Sequence, residues 1–471
     1  MDEEKDWLYE NDEALDSIRR FEDMLSKKEQ YFFDVYEFEE IINFYIDTSN
    51  FNKAVSAAEY GYRLYPDSTV IQLKIAHLLI DRGKAEESIG ILDKIEKIEQ
   101  SNYELYILKG SAYNLLGKTN EAMQHFDKAV SLSHRDDRDA VLYNIGLSFE
   151  NQNNYRTAIS YFLDAHKLDP TNAAILYDLA YCYEQTEQYE RSIYYYDKSL
   201  DEDPYVEHAW FNLGAVYCKV ENYEKAIEAY DFAIAINESY SSAYFYKANL
   251  LSNLERYNEA LPEYLEFLKL EENHVMAHCY VGECYEKLGR YKESLFFFQK
   301  ALAIDPKSSD AWFGAGVVQM HLESYDESLN NINKALELNE DNTEYLYALG
   351  LVYMRKNDQE NGIRVFKQVI ELDPSDFDAW LNYSEIVLRS GKIEKATEIL
   401  NKAYDYNVDN ANINFRLASY YFLQDKMTQG YIYLEKALTL DGDCIEELYD
   451  FYPAAALDDQ INAIIRKSKE Q

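Results

Sequence analysis

The sequence predicts an all-α solenoid of antiparallel helix hairpins, and three observations carry that prediction. Apolar residues recur at helical spacing on both sides of a polar turn: Leu142, Ile145, Gly146 and Phe149 form one stripe, and Ala158, Phe162, Ala165 and Leu168 the next. Asn151 to Asn154 separate the stripes, and Asp169-Pro170 stops the second. A small residue also returns every 34 positions in each stripe, from Gly146 to Ala180, Gly214, Ala248, Gly282, Gly316, Gly350, Ser384 and Ala418, and from Ala158 to Ser192, Ala226 and Ala260 onward. One hairpin cannot bury two stripes, so the units must stack on one another.

Taken in order, residues 1–34 fall off this ruler. Ala14, Ile18, Phe21 and Leu25 make a helical stripe there, which predicts a capping helix or a degenerate first repeat. Residues 35–444 hold twelve tandem repeats; upstream of Gly146 the first-helix position is Gly110 (across a two-residue insertion), Ala76 and Ile42, the last being the one large residue. Tyr155, Tyr189, Tyr223, Tyr257, Tyr291 and Tyr325 recur where each turn enters the second helix. Residues 445–471 predict capping helices, one ending at Pro453 and one over Asp458 to Lys469 that turns Ile461, Ile464 and Ile465 inward. Arg466, Lys467 and Lys469 then sit where cations favour a helix dipole.

Trp210, Leu213-Gly214, Tyr217, Ala226, Tyr230 and Ala233 stand at the offsets of a known motif, with its closing proline at Pro66, Pro170, Pro204, Pro306 and Pro374. The pattern resembles the tetratricopeptide repeat from about Val35 to Asp443. Gln72, His278 and Asn414 replace its large apolar residue, and Ile95, Phe267 and Val369 its last alanine. The resemblance implies a right-handed superhelical solenoid whose concave groove is lined by the first helix of each hairpin. It implies a non-catalytic scaffold that binds a peptide or extended protein segment there; the alternative is a regulatory or substrate-recruiting subunit of an enzyme complex.

The formal charge of −40 argues against nucleic acid and anionic membrane as partners. It suits a basic protein partner, although acidic residues also simply solvate a long exposed array. Five cysteines in no paired spacing predict a reducing compartment. Cys182 and Cys284 read as core fillers, Cys218 and Cys279 as outward-facing. The N-terminal MDEEKDWLYE lacks the basic and apolar regions of a secretory signal, so a cytoplasmic location is expected. Neither a Gly-rich phosphate loop, an HExxH nor a paired CxxC is present, so no enzyme and no cofactor are expected. His274 and His278, four apart beside Cys279 and Glu283, are the best metal candidate. Their places at an inter-repeat turn and at a large apolar position favour a packed core histidine instead.

The ruler also orders the groove. One column runs Tyr143, Tyr177, Phe211, Phe245, Cys279, Phe313, Tyr347, Leu381 and Phe415, either an aromatic anchor line or packing. The next holds Asn144, Asp178, Asn212 and Asn382, which resembles the family's ladder of amides for a ligand main chain, broken by Tyr246, Tyr280, Gly314 and Ala348. A third changes sign, from Asp47 and Asp81 to His321, Arg355 and Arg389, with Met320, Met354 and Leu388 beside the later members. The later half is therefore expected to suit an amphipathic acidic segment. The earlier half, with Glu39, Asp47, Asp81, Glu150 and Glu184, is expected to suit a basic one.

Overall fold

The chain builds helices and nothing else: among the described residues, which are 3–27, 31–48 and 50–469 of the computed structural model, every regular element is an α- or 3-10 helix. None of these helices is long and apolar enough to cross a membrane. They form two compact units, Met1–Glu238 and Ser239–Gln471. The first begins with Glu3–Lys27 and continues as hairpins, Val35–Asp47 with Phe51–Leu64, Thr69–Asp81 with Ala85–Glu96, and Tyr103–Leu115 with Thr119–Leu132. Arg138–Glu150 then pairs with Tyr155–Leu168, Ala173–Gln185 with Tyr189–Glu202, and Glu207–Lys219 with Tyr223–Ile236. The second unit repeats the theme from Ser241–Asn253 with Tyr257–Leu270 to Ala411–Leu423 with Met427–Leu440, then closes with short helices.

Local chemistry fixes the helix ends. Ser68, Asn102, Asn172, Ser308, Asn342, Asp376 and Asn410 each accept a backbone N–H from the first turn of the helix they open. From Thr69–Asp81 onward, each first helix is followed by a left-handed residue with φ between 57° and 79°. The next amide then reaches back: Lys118 N donates to the Tyr113 carbonyl and Gln188 N to that of Tyr183, each at 2.9 Å. Gly83 and Gly289 adopt that conformation freely, whereas Glu187, Glu221, Glu255 and Glu323 hold it against a Cβ clash.

The small residues of the ruler each face one particular side chain. A Cβ on Gly110, Gly146, Gly214 or Gly350 would meet the ring of Phe126, Phe162, Tyr230 or Phe366, always sixteen residues on, at 2.3 to 2.8 Å. Ile42, the large exception, is answered at the same offset by Ala58, and both are fully buried in one cluster. Where the second helix carries serine instead of alanine, the hydroxyl crosses the hairpin: Ser88, Ser192, Ser294 and Ser328 donate to the carbonyls of Ala76, Ala180, Gly282 and Gly316 at 2.7 to 2.9 Å. The polar replacements of the large apolar residue are explained as well. Trp210, Trp312 and Trp380 donate from Nε1 to the carbonyl six residues earlier, at 2.9 to 3.0 Å. Gln72 and Asn414 do the same from their amides, and His278 from Nε2 at 2.9 Å to Glu272, since a carbonyl can only accept. Leu142, Leu176 and Leu346 fill the same position with no donor, so the shared N–H belongs to the Trp, Gln, Asn and His members alone.

The ends carry their own contacts. In Glu3–Lys27 the buried face is Ile18, Phe21 and Met24; Leu25, expected inside, is 44% exposed, because the helix meets its neighbour at Met24 instead. The side chains of Ala14 and Lys469 lie outside the described residues. At the other end, Glu446–Phe451 and Asp459–Lys469 pack Leu448, Ile461 and Ile465 against the last hairpin. Arg416 holds this closure. It is 5% exposed, pairs with Glu447 and with Glu385 at 3.6 Å, and lies 3.6 Å over the Phe451 ring.

Candidate functional site

The first helices place the two expected ligand columns against each other across the seam between successive repeats. The Tyr143 hydroxyl donates to Asp178 Oδ2 at 2.7 Å; Asn212 Nδ2 donates to the Tyr177 hydroxyl at 2.7 Å and Asn382 Nδ2 to that of Tyr347 at 2.8 Å. Each pair is 35 residues apart, one more than the repeat, because the next helix is displaced along the seam. Glu39 and Lys74 form an ion pair at 3.3 Å in the same relation. The rings of the column are packing too: Tyr143 lies against Phe162, Phe211 against Tyr230, Phe245 against Phe267, and Phe313 stacks on Tyr345 with centroids 4.4 Å apart. The ladder reading is thereby corrected for Asn212, whose amide serves Tyr177. Gly314 breaks the ladder for room, since a Cβ there would sit 2.2 Å from the Phe298 ring.

Two more expectations fail on burial. Phe415 is fully buried with Leu448 and Ala455, because the closing helices cover the face that earlier repeats leave open. Cys279, expected outward, is fully buried as its thiol lies in a seam closed by Ala311 and Ala315. Met320, Met354 and Leu388 are half-buried against the core of the second unit, and Arg355 is exposed. His321 stacks on Tyr291 and sits 3.4 Å from Glu286, while Arg389 is tied to Glu385 of its own helix. His274 caps Val275–Lys287 by accepting from Ala277 N, so its lone pair is already used. His278 is 4% exposed, and burial pushes its pKa down. Among the described residues, no group of three or more His, Cys, Asp or Glu could hold a metal ion.

An open cleft lies in the first unit. A cavity of about 680 Å³ spans Thr69–Asp81, Tyr103–Leu115 and Arg138–Glu150. Ile80, Ile107, Leu115 and Leu147 give it apolar wall, and His77, Asp81, Glu104, Ser111, Asn144 and Ser148 give it polar groups. Of the columns read from sequence, it takes in Asp81 and Asn144; Asn144 is exposed, and its Nδ2 donates to its own helix at the Ala140 carbonyl. Ser111, Ser148, Glu104 and His77 were missed. For Ser111 the signal was a lack of bulk, since its ruler position carries Leu147 and then Tyr181 in the following repeats.

Beyond the cavity the next seam brings together the carboxyls of Glu150 and Asp178, and among the described residues no ion pair ties either to a cation. Burial, then the charge of Asp178, pushes Glu150 up to about 7, although Cys182 Sγ donates to it at 3.6 Å. Burial pushes Asp178 up to about 6 against the opposing hydrogen bond from Tyr143. Unfolded carboxyls titrate near 4, so the folded chain holds these protons more tightly. Their stabilising effect is complete below about pH 4 and is lost as pH rises through about 6 to 7. Hydrogen exchange in Arg138–Glu150 and Ala173–Gln185 is therefore expected to be slower, after correction for intrinsic rate, at pH 5.5 than at 7.5. Glu150→Gln with Asp178→Asn should shrink that difference; an unchanged difference would refute the assignment.

Models of the Tetratricopeptide repeat family match residues 7–143, 143–207, 208–240, 241–274, 275–308 and 313–377. A model of the TT21 fifth ARM repeats domain matches residues 346–438. TPR repeat-containing protein YpiA of Bacillus subtilis (strain 168) is 26% identical over 118 residues, 25% of this chain and 27% of that protein, so the match spans about a quarter of the relative. Among solved structures, YrrB, "a TPR protein with an unusual peptide-binding site", is 31% identical over 39% of this chain and 95% of its own, with a TM-score of 0.33. Yeast Tom70 is 15% identical over 92% of this chain and 95% of its own, with a TM-score of 0.42.

Proposed function

The chain belongs to the tetratricopeptide repeat family, whose arrays are protein-interaction scaffolds, and from this premise we propose that it is a non-catalytic scaffold holding an extended protein segment against the first helices of its first unit. The observation that carries this reading is the cavity across three successive first helices. Its volume of about 680 Å³ is within the range of binding clefts, and it combines apolar wall with a few polar groups. The seam tyrosines and amides support it indirectly, by fixing the spacing of the helices that line the cleft. In the second unit, exposed Arg355 beside half-buried Met320, Met354 and Leu388 suits an apolar segment with acidic residues. A cytoplasmic setting fits five free thiols.

Photo-crosslinking tests the placement. A benzophenone amino acid at Asn144 is expected to capture the partner, and one at Tyr194, which is 53% exposed on a second helix, is not. Capture from Tyr194 alone would end the groove reading.

A further inference from the structure

We infer that the cavity across Thr69–Asp81, Tyr103–Leu115 and Arg138–Glu150 accepts an extended segment carrying lysine or arginine next to apolar residues, the cation being received by Asp81 and Glu104. This names the partner chemistry of the groove proposed above and rests on that reading.

The lining sets the choice. Its carboxylates are Asp81 and Glu104, His77 and Tyr103 are its other ionisable groups, and among the described residues no lysine or arginine lines it. Asp81 keeps 33% of its side chain exposed, and its ion-pair partner is His77 at 3.8 Å, cationic only when protonated. Glu104 is 45% exposed; the nearest ammonium, Lys74, lies 3.8 Å away and is held closer, at 3.3 Å, by Glu39. Both carboxylates thus keep hydrogen-bonding capacity towards the cleft side. Ile80, Ile107, Leu115 and Leu147 line the same cavity. Apolar wall with an acidic rim matches a side chain whose stem is hydrocarbon and whose tip is a cation.

The surroundings push the same way. Glu150, on the third of these helices, and Asp178, on Ala173–Gln185, have a thiol and a phenol as hydrogen-bond partners, and among the described residues no ion pair ties either of them to a cation. With a net charge of −40, the chain attracts a basic segment at long range and repels an acidic one.

The test uses the full chain and a fluorescein-labelled peptide, Ala-Lys-Leu-Lys-Ala-Arg-Leu-Ala, against its counterpart with glutamate at each basic position, read by anisotropy. The basic peptide is expected to bind and to weaken with salt. Asp81→Asn with Glu104→Gln should cost about tenfold in affinity. Glu283→Gln, in a first helix of the second unit, should change nothing, and circular dichroism confirms that each variant is folded. Unaltered binding in the Asp81→Asn, Glu104→Gln variant, preference for the acidic peptide, or no binding of the basic one at low-millimolar concentration would overturn the inference. Asn144→Trp separates the two layers. If the acidic peptide binds and Asn144→Trp displaces it, the charge inference falls and the groove stands. If the basic peptide binds and ignores Asn144→Trp, both fall.

Discussion

Gly146→Ala is expected to destabilise the first unit by roughly 2 kcal/mol, the usual scale of overpacking. The sign is the informative part, because alanine in place of a helical glycine ordinarily stabilises by about 1 kcal/mol. Here the new Cβ would lie 2.3 Å from Phe162 Cε1 and 2.5 Å from Cδ1. The ring cannot retreat, since Phe162 is fully buried and packed against Tyr143. Gly90, on an exposed face with nothing within 4 Å of its added Cβ, supplies the opposite expectation: Gly90→Ala should stabilise by about 1 kcal/mol. Denaturant unfolding followed by hydrogen exchange in Arg138–Glu150 measures both. Phe162→Leu in the Gly146→Ala background should return part of the loss. If Gly146→Ala matches Gly90→Ala in sign, the account of the ruler is wrong.

Arg416→Met should cost the second unit about 3 kcal/mol and loosen Glu446–Phe451. Removing the guanidinium strands Glu447, whose side chain is only 17% exposed, leaves Glu385 with Arg389 alone, and uncovers the Phe451 ring. Arg416→Lys should recover little, because a single ammonium cannot serve two carboxylates while lying flat on a ring. Adding Glu447→Leu to Arg416→Met should restore more than Arg416→Lys does, since it removes the stranded charge. Arg389→Ala, at a side chain 58% exposed whose partner Glu385 keeps Arg416, should stay within about 0.5 kcal/mol. Exchange rates of the Glu446–Phe451 amides report the local effect; unchanged protection in Arg416→Met would remove Arg416 from its clamping role.

Helical hairpins were legible because close packing leaves a mark in one sequence: a Cβ-sized gap at fixed spacing, answered sixteen residues later by a ring. Even the exception was legible in principle, as Ile42 and Ala58 exchange sizes. The site was less so. Tyr143 and Asp178 were read as members of parallel rows, yet a ruler of 34 conceals a bond made at 35. Phe415 and Cys279 shared a column with half-exposed rings, but exposure depends on what the following segment lays over the position, which a column does not encode. The cavity arises where Ser111, Asn144 and Ser148 fail to fill space, and missing bulk carries no motif.

The seam bonds also bear on how such a chain would respond to tension. Within each unit a hairpin packs on those beside it in sequence, so a pull along the array is transmitted through one seam after another. Between Arg138–Glu150 and Ala173–Gln185 the polar ties include the Tyr143–Asp178 bond and the longer Cys182–Glu150 contact, and at the next seam the Asn212–Tyr177 bond. These ties are weaker than the helices they join, so stretch would be taken up first by parting at the tyrosines. Each unit would thus yield first between its repeats, where its stiffness is set.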